Sequence, residues 1–432
     1  MAKPSSPTVH DRAGPGPTVA IGVIVLVALA SAAVVGAARL SSGTAGISTA
    51  WQDVPDAQVV AARAGGPSGG GLLVPGSTRL VALGSTALVD NRAAALLAPG
   101  ADVALPLPEQ PPGTTAVLLE VSLLDATGPG AVTIESAAGP LTVLRVPAAK
   151  AMTSATVVVR LGPDGELRAR TEGGGHLLIS QVGAFVAAEA SGPGRIVAVP
   201  ATRVLRLVPE DAGKFATVDL DTVPALRSVG VAAVLLQINA DVGRNGGLIE
   251  VGDRPETLDH HAFWAATKTA DRTRNGFLVV PVTGRAVFLH YQAGSLLTVD
   301  VVGYVTDDTA APSVAGLVVP LAPGPPQPVR ITPGPPVNVT LVGSSGLQDV
   351  PADRVAAALV GVTAVGEATG TVTVFAPDPA VPVAPADPTL ATSAGTPRSV
   401  LTAVGVTRGT VLVSGTSAAS VELVPQALVL AG

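Results

Sequence analysis

The chain has five His and no Cys, so proton transfer or metal ligation would have to be built from imidazole and carboxylate. Asp259, His260 and His261 are consecutive. On a loop they could turn toward one metal ion, since both group types bind zinc. On a strand neighbouring side chains face opposite ways, and on a helix they diverge. The expected reading is therefore a solvated turn with no metal. His176 follows Gly173-Gly174-Gly175, as a turn or strand-edge residue would. His290 and Tyr291 close the apolar stretch Ala286–Leu289, which fits a half-buried strand. His10 sits near the N-terminus.

Carboxylates and arginines offer three more groupings. Asp219 and Asp221 would share a face if they lay on one strand, the arrangement of a glycosidase pair. Such an enzyme needs aromatics to stack sugar rings, and this chain has only two Trp, two Tyr and six Phe. Asp307 and Asp308 open the segment Thr306–Ser313 and read as solvated charge. Arg160, Arg168 and Arg170 could gather on adjacent strands to hold an anionic glycan, but Glu166 and Glu172 close by favour an ordinary solvated face. Trp264 with Phe263 and His261 is a dense aromatic spot, either core or a sugar platform. No Gly-x-Ser-x-Gly elbow, His-Glu-x-x-His helix or Gly-Lys-Ser/Thr loop occurs. Gly213-Lys214 continues into Phe215, which lacks the hydroxyl a magnesium ion requires. No catalytic residue, metal site or cofactor is expected, and the ligand-binding residues are unknown at this level.

Composition narrows the classes further. A net charge of −6 supplies no basic surface for phosphate backbones, so nucleic acid is not an expected partner. Without Cys there are no disulfides, and stability must come from packing. A hydrophobic share of 47% is that of a folded chain.

The elements that must position these residues begin with a membrane segment. Thr18 to Ala38 is uncharged and apolar, long enough to cross a bilayer as a helix. Lys3 and Arg12 precede it against Asp11, which favours a cytoplasmic N-terminus. The expected layout is a cytoplasmic tail over 1–17, a transmembrane helix or signal anchor over 18–38, and a flexible linker over 39–70. A cleaved signal peptide is the competing reading, with Gly36, Ala37 and Ala38 near the cut. Either way the bulk of the chain is extracytoplasmic.

Three copies of one unit follow. Gly71-Leu72-Leu73-Val74-Pro75 recurs as Arg195-Ile196-Val197-Ala198-Val199-Pro200 and as Gly316-Leu317-Val318-Val319-Pro320. Ala116–Ser122 matches Ala233–Asn239 and Ala357–Thr363. Val182-Gly183-Ala184-Phe185-Val186 and Val302-Gly303-Tyr304-Val305 close two units, and the third ends in Ala427-Leu428-Val429. A period of about 120 residues suits a unit with its own core. The units span 71–193, 194–315 and 316–432. Apolar runs of strand length, broken by Gly, Pro, Asp and Thr, predict β structure. Pro163-Asp164-Gly165 predicts a hairpin turn, as does Arg244-Asn245-Gly246-Gly247. Pro255–Asp271 lacks strand alternation and suggests helix. The fold class expected is mainly β: a transmembrane helix, then three tandem β-sandwich domains. A six-bladed β-propeller is the alternative.

Ala233–Asn239, a Gly turn, and Leu297-Thr298-Val299-Asp300-Val301-Val302-Gly303-Tyr304 together resemble a repeat of secreted actinobacterial proteins. There, an Ala-Val-Val-Leu-Asn-Val-Thr strand and an Asp-Val-Val-Gly-Tyr strand frame the unit. The layout resembles an uncharacterised actinobacterial family of membrane-anchored exported proteins, a domain of unknown function. In that family a Cys often precedes the first Pro of the unit, where Val74, Val199 and Val319 stand here. The resemblance implies a surface protein of the cell envelope with no assigned activity. The functional expectation is a non-enzymatic envelope scaffold or adhesion module with a cell-wall polymer as partner. The alternative is an accessory subunit of a glycan-assembly or export complex, held to a membrane protein by the transmembrane helix.

Overall fold

Val, Leu and Ala in runs of strand length leave the backbone no better way to satisfy its polar groups than ladder pairing. The computed structural model describes residues 73–432 apart from 189–192, 209–212, 242–247, 259–260, 265–272, 292–295, 343–349 and 378–387. Residues 1–58 and 59–432 are separate units, and the segments expected as tail, membrane helix and linker lie outside the described residues. Among the described residues no helix is long and apolar enough to cross a membrane.

The described strands fall into three successive groups. The first holds β1 (Thr78–Asp90), β2 (Ala101–Ala104), β3 (Thr114–Leu124), β4 (Gly130–Ser136), β5 (Gly139–Val146), β6 (Thr153–Arg160), β7 (Leu167–Thr171) and β8 (His176–Ala187). The second holds β9 (Ile196–Leu207), β10 (Phe215–Asp219), β11 (Val231–Asp241), β12 (Leu248–Gly252), β13 (His261–Trp264), β14 (Thr273–Pro281), β15 (Ala286–Tyr291) and β16 (Leu296–Thr306). The third holds β17 (Val318–Pro320), β18 (Gln327–Ile331), β19 (Val337–Thr340), β20 (Val355–Gly366), β21 (Gly370–Phe375), β22 (Leu390–Thr392), β23 (Pro397–Gly405), β24 (Thr410–Gly415) and β25 (Ala419–Leu430).

Each group makes an inner and an outer sheet with interleaved strand order. In the first the orders are β1-β8-β3-β6 and β2-β7-β4-β5, and in the second β9-β16-β11-β14 and β10-β15-β12-β13. In the third, β17 and β18 share the place of the first strand beside β25, followed by β20 and β23, over an outer sheet β19-β24-β21-β22. This is the double-sheet order of a jelly roll. A propeller blade is built from consecutive strands, so the propeller alternative is set aside. The turn at Pro163-Asp164-Gly165 forms, with Gly165 at φ 70°, but it is not a hairpin. It passes from β6 in the inner sheet to β7 in the outer one, because turn chemistry is local and strand partnership is not. Where helix was expected over Pro255–Asp271, a short 3-10 turn at Pro255–Thr257 leads to strand β13, which pairs with β12.

Strands β3 and β16 of the inner sheets are buried on both faces along almost their whole length. In β3 Val117, Leu119 and Val121 pack toward the outer sheet of their own sandwich. On the opposite face, Ala116 and Leu118 join Ala233, Leu235, Ala357 and Leu359 in one core shared by all three repeats. That is why Ala116–Leu119, Ala233–Leu236 and Ala357–Val360 are continuous apolar runs instead of alternating ones. Truncating a Leu of this core costs about 2–5 kcal/mol. Edge strands β6, β14 and β23 touch one another at the junction. Polar bonds cross it too. Thr156 Oγ1 donates to the Phe277 carbonyl, Gln426 Oε1 accepts from the Val158 N–H at 2.8 Å, and Asn275 Oδ1 accepts from the Ala391 N–H at 2.8 Å.

The repeats meet end to end by one rule. The Leu80 N–H donates to the Gly194 carbonyl at 2.7 Å, and the Ile196 N–H donates to the Gly316 carbonyl at 2.7 Å. Both glycines are left-handed, at φ 89° and 86°. A Cβ on Gly194 would lie 2.7 Å from the Leu80 oxygen, and one on Gly316 2.7 Å from the Ile196 oxygen. Only glycine fits both demands. Thr78 takes the equivalent place in the first repeat. It pairs with Val318 of the third and donates its hydroxyl to the Val318 carbonyl at 2.7 Å. The three repeats therefore close on themselves, and β1 and β17 join two inner sheets into one.

One bulge recurs in each repeat, between Leu118 and Leu119, Leu235 and Leu236, and Leu359 and Val360. Opposite it stand Gly183, Gly303 and Ala427. The closing Val-Gly signature of the first two repeats is thus a bulge signature.

Candidate functional site

The outer sheet of the second repeat sets an aromatic ring, an imidazole and a carboxylate in one row. Alternation decides which side chains face out. In β15 Val287, Leu289 and Tyr291 are fully buried, so Phe288 and His290 take the opposite face. In β12 Ile249 and Val251 point into the core, which turns Glu250 outward. In β10 Val218 is buried while Phe215, Thr217 and Asp219 are exposed. Gly213, at φ 78°, turns the chain into β10, and its N–H donates to the Tyr291 carbonyl at 2.6 Å. Register then puts Phe215 opposite His290, and His290 opposite Glu250.

His290 Nδ1 lies 2.7 Å from Glu250 Oε2, with side chains only 14% and 9% exposed. Phe215 stacks on the imidazole at 4.3 Å between centroids and 12° between planes. It stays 43% exposed. When His290 is neutral, Nδ1–H donates to the carboxylate and Nε2 is left as an acceptor. The arrangement offers a flat apolar surface beside two polar groups fixed by strand pairing, which suits a ligand with an apolar face and hydroxyls on its rim.

The residues singled out in the sequence fall as follows. Asp219 ends β10, and its Oδ1 accepts from the Asp221 N–H at 2.9 Å, capping a 3-10 turn at Leu220–Thr222. Asp221 Oδ1 accepts from Arg285 Nε at 2.6 Å. The two carboxylates do not share a strand face, since the strand has ended at the first. Asp307 Oδ1 accepts from the N–H and hydroxyl of Thr309, a turn role. Arg168 Nε is bound by both Asp102 oxygens at 3.0 Å. Arg160 lies on β6 in the other sheet from Arg168 and Arg170, so adjacent strands do not gather the three. His176 opens β8, with Nδ1 at 3.1 Å from the Asn91 carbonyl. Asp259 and His260 lie outside the described residues, and His261, Phe263 and Trp264 belong to β13. Among the described residues no three His or acidic side chains are placed to hold a metal ion. The role of Glu250 escaped notice, although a lone acid in Leu248-Ile249-Glu250-Val251 signals an outward position. Phe215 drew attention only as a break in a phosphate-loop pattern.

No family model and no curated protein matches this chain. One solved structure, described as "The Triple Jelly Roll Fold and Turret Assembly in an Archaeal Virus", shares 9% identity over 83% of this chain and 91% of that one, with a TM-score of 0.18. Likeness at that score carries no argument about fold or function.

Proposed function

We propose that this protein is a non-enzymatic binding scaffold of the cell envelope. Three tandem β-sandwich domains stand outside the membrane behind an N-terminal anchor over 18–38, and a wall glycan is the ligand. The observation that carries the reading is the exposed ring of Phe215, stacked on His290, which Glu250 holds from behind. A pyranose ring has an apolar C–H face for the phenylalanine and hydroxyls for the imidazole and carboxylate. A polymeric ligand adds avidity when many anchored copies engage it. The shared core supports the scaffold part, because it holds the outer sheets fixed without disulfides.

The test is co-sedimentation of the protein with isolated cell-wall polymer across a salt series, wild type against Phe215→Ala. Saturable binding that resists salt and weakens several-fold in the variant supports the reading. Binding that is absent, or indifferent to Phe215, overturns it.

A second reading rests on the small residues Gly22, Ala28, Ser31, Ala32 and Gly36 of the apolar segment, which permit close helix–helix approach. It makes the chain an accessory subunit of an envelope complex. Gly36→Leu with Ala32→Leu would then abolish function at normal localisation.

A further inference from the structure

The first repeat leaves open one end of its sandwich that the second repeat closes. At that end lie the loop from the second strand of each repeat to its third and the turn from its sixth to its seventh. In the second repeat the loop folds into two 3-10 turns, Leu220–Thr222 and Pro224–Leu226, and Leu220, Val223 and Leu226 are completely buried. The β14–β15 turn then lays Arg285 across this loop. Its guanidinium donates to Asp221 Oδ1 at 2.6 Å, to the Val229 carbonyl at 2.9 Å and to the Leu226 carbonyl. A cation on an aliphatic stem is the piece that closes this end.

The first repeat has neither part. Of Leu105-Pro106-Leu107-Pro108, only Leu105 is buried. The β6–β7 turn, Leu161-Gly162-Pro163-Asp164-Gly165-Glu166, has no basic residue and two acidic ones. Between loop and turn lies a cleft of about 340 Å³, at the lower end of the range for ligand pockets, about 300–1,000 Å³. Leu105, Leu107 and Leu161 give it apolar walls continuous with the core of the repeat, and Asp164 and Glu166 add two carboxylates. The lining includes no cation. Arg168, close by in sequence, is held by Asp102. Asp164 Oδ1 accepts from the Glu166 N–H at 3.3 Å. Among the described residues, neither Asp164 Oδ2 nor the Glu166 carboxylate has a hydrogen-bond or ion-pair partner.

We propose that this cleft binds an arginine side chain presented by a peptide, with its stem against Leu105, Leu107 and Leu161 and its guanidinium on Asp164 and Glu166. The contact between molecules then repeats what Arg285 does within the second repeat. Charge decides against a purely apolar occupant, which would strip water from two carboxylates and give them no partner. Guanidinium–carboxylate bonds are charge-assisted and directional. The volume suits one long side chain with its adjoining backbone.

The test is fluorescence anisotropy of a labelled, otherwise uncharged pentapeptide with one central arginine, titrated with the full-length protein in neutral detergent. The expected result is saturable binding at one site per chain. Affinity should fall about tenfold, the loss of two partly screened charge contacts, when neutral citrulline replaces the arginine. The same fall is expected when the protein carries Asp164→Asn with Glu166→Gln, since asparagine still supports the turn. Should that pair fail to fold by circular dichroism, Glu166→Gln alone replaces it, with a several-fold loss expected. No saturable binding to the folded wild type overturns the proposal. So does citrulline that binds as tightly as arginine, or binding that is indifferent to whichever folded variant is used.

Discussion

Thr78 and Val318 are 240 positions apart, yet they are cross-strand neighbours, and the buried Thr78 hydroxyl donates to the Val318 carbonyl at 2.7 Å. The Gly194–Leu80 and Gly316–Ile196 links join neighbouring repeats. The Thr78–Val318 pair joins first to last. It turns three units in series into one closed body with a common core.

A common core should melt once. Calorimetry of the wild-type protein is expected to show a single transition for residues 73–432, since no repeat can leave without exposing apolar faces of the other two. Removing residues 316–432 is expected to leave no folded remainder with native near-ultraviolet signal. Separate transitions, or a well-folded two-repeat fragment, would mean that the junction adds little.

The linking glycines give a graded series. Gly395→Ala sits at φ 63° with open space around the new Cβ, so its expected cost is the left-handed backbone alone, about 1–2 kcal/mol. Gly194→Ala and Gly316→Ala add a clash with a backbone oxygen at 2.7 Å and should lose clearly more. Urea titrations of the three variants check the order, and a cost at Gly194 no larger than at Gly395 would refute the close approach.

Asp300 makes an acid-range prediction. Its side chain is 3% exposed and its Oδ1 lies 2.6 Å from Arg203 Nε. Burial pushes the carboxyl pKa up, and the guanidinium only partly offsets this. A folded-state pKa above the unfolded value means that the folded form holds the proton longer. The stability contribution is then present below the unfolded pKa and is lost as pH rises through the folded one. Asp300→Asn should flatten that fall in a plot of Tm against pH. Superimposable slopes would mean that Asp300 titrates normally.

The aromatic row can be dissected. Glu250→Gln keeps the shape and an acceptor oxygen but removes the charge, so the bond that orients His290 should weaken while the fold persists. Glycan affinity is expected to fall several-fold, by less than in Phe215→Ala together with His290→Ala. Titration against soluble wall fragments, with circular dichroism to check the fold, measures both.

The repeats, their strands and the β class were legible because they rest on local patterns: apolar runs, turn residues and a recurring Val-Gly. Closure was not. Thr78 carries no local mark of a partner at Val318, and the run Ala116–Leu119 says that both faces are covered without saying by what. The turn at Pro163–Gly165 was readable as a turn, but its neighbours pair elsewhere. His290 looked like a half-buried strand residue, which it is. Its carboxylate partner comes from another strand, 40 positions away, and only register brings the two together.

Closure within one polypeptide has a further effect. Three identical chains around an axis must repeat every surface feature three times. Here the row that holds Phe215, His290 and Glu250 in the second repeat is Asp102, Arg170 and Thr133 in the first, and the pair matching His290 and Glu250 is Ser414 and Thr373 in the third. Covalent linkage lets the buried sides stay alike while the outward sides diverge, so one molecule can present three different faces from a single frame.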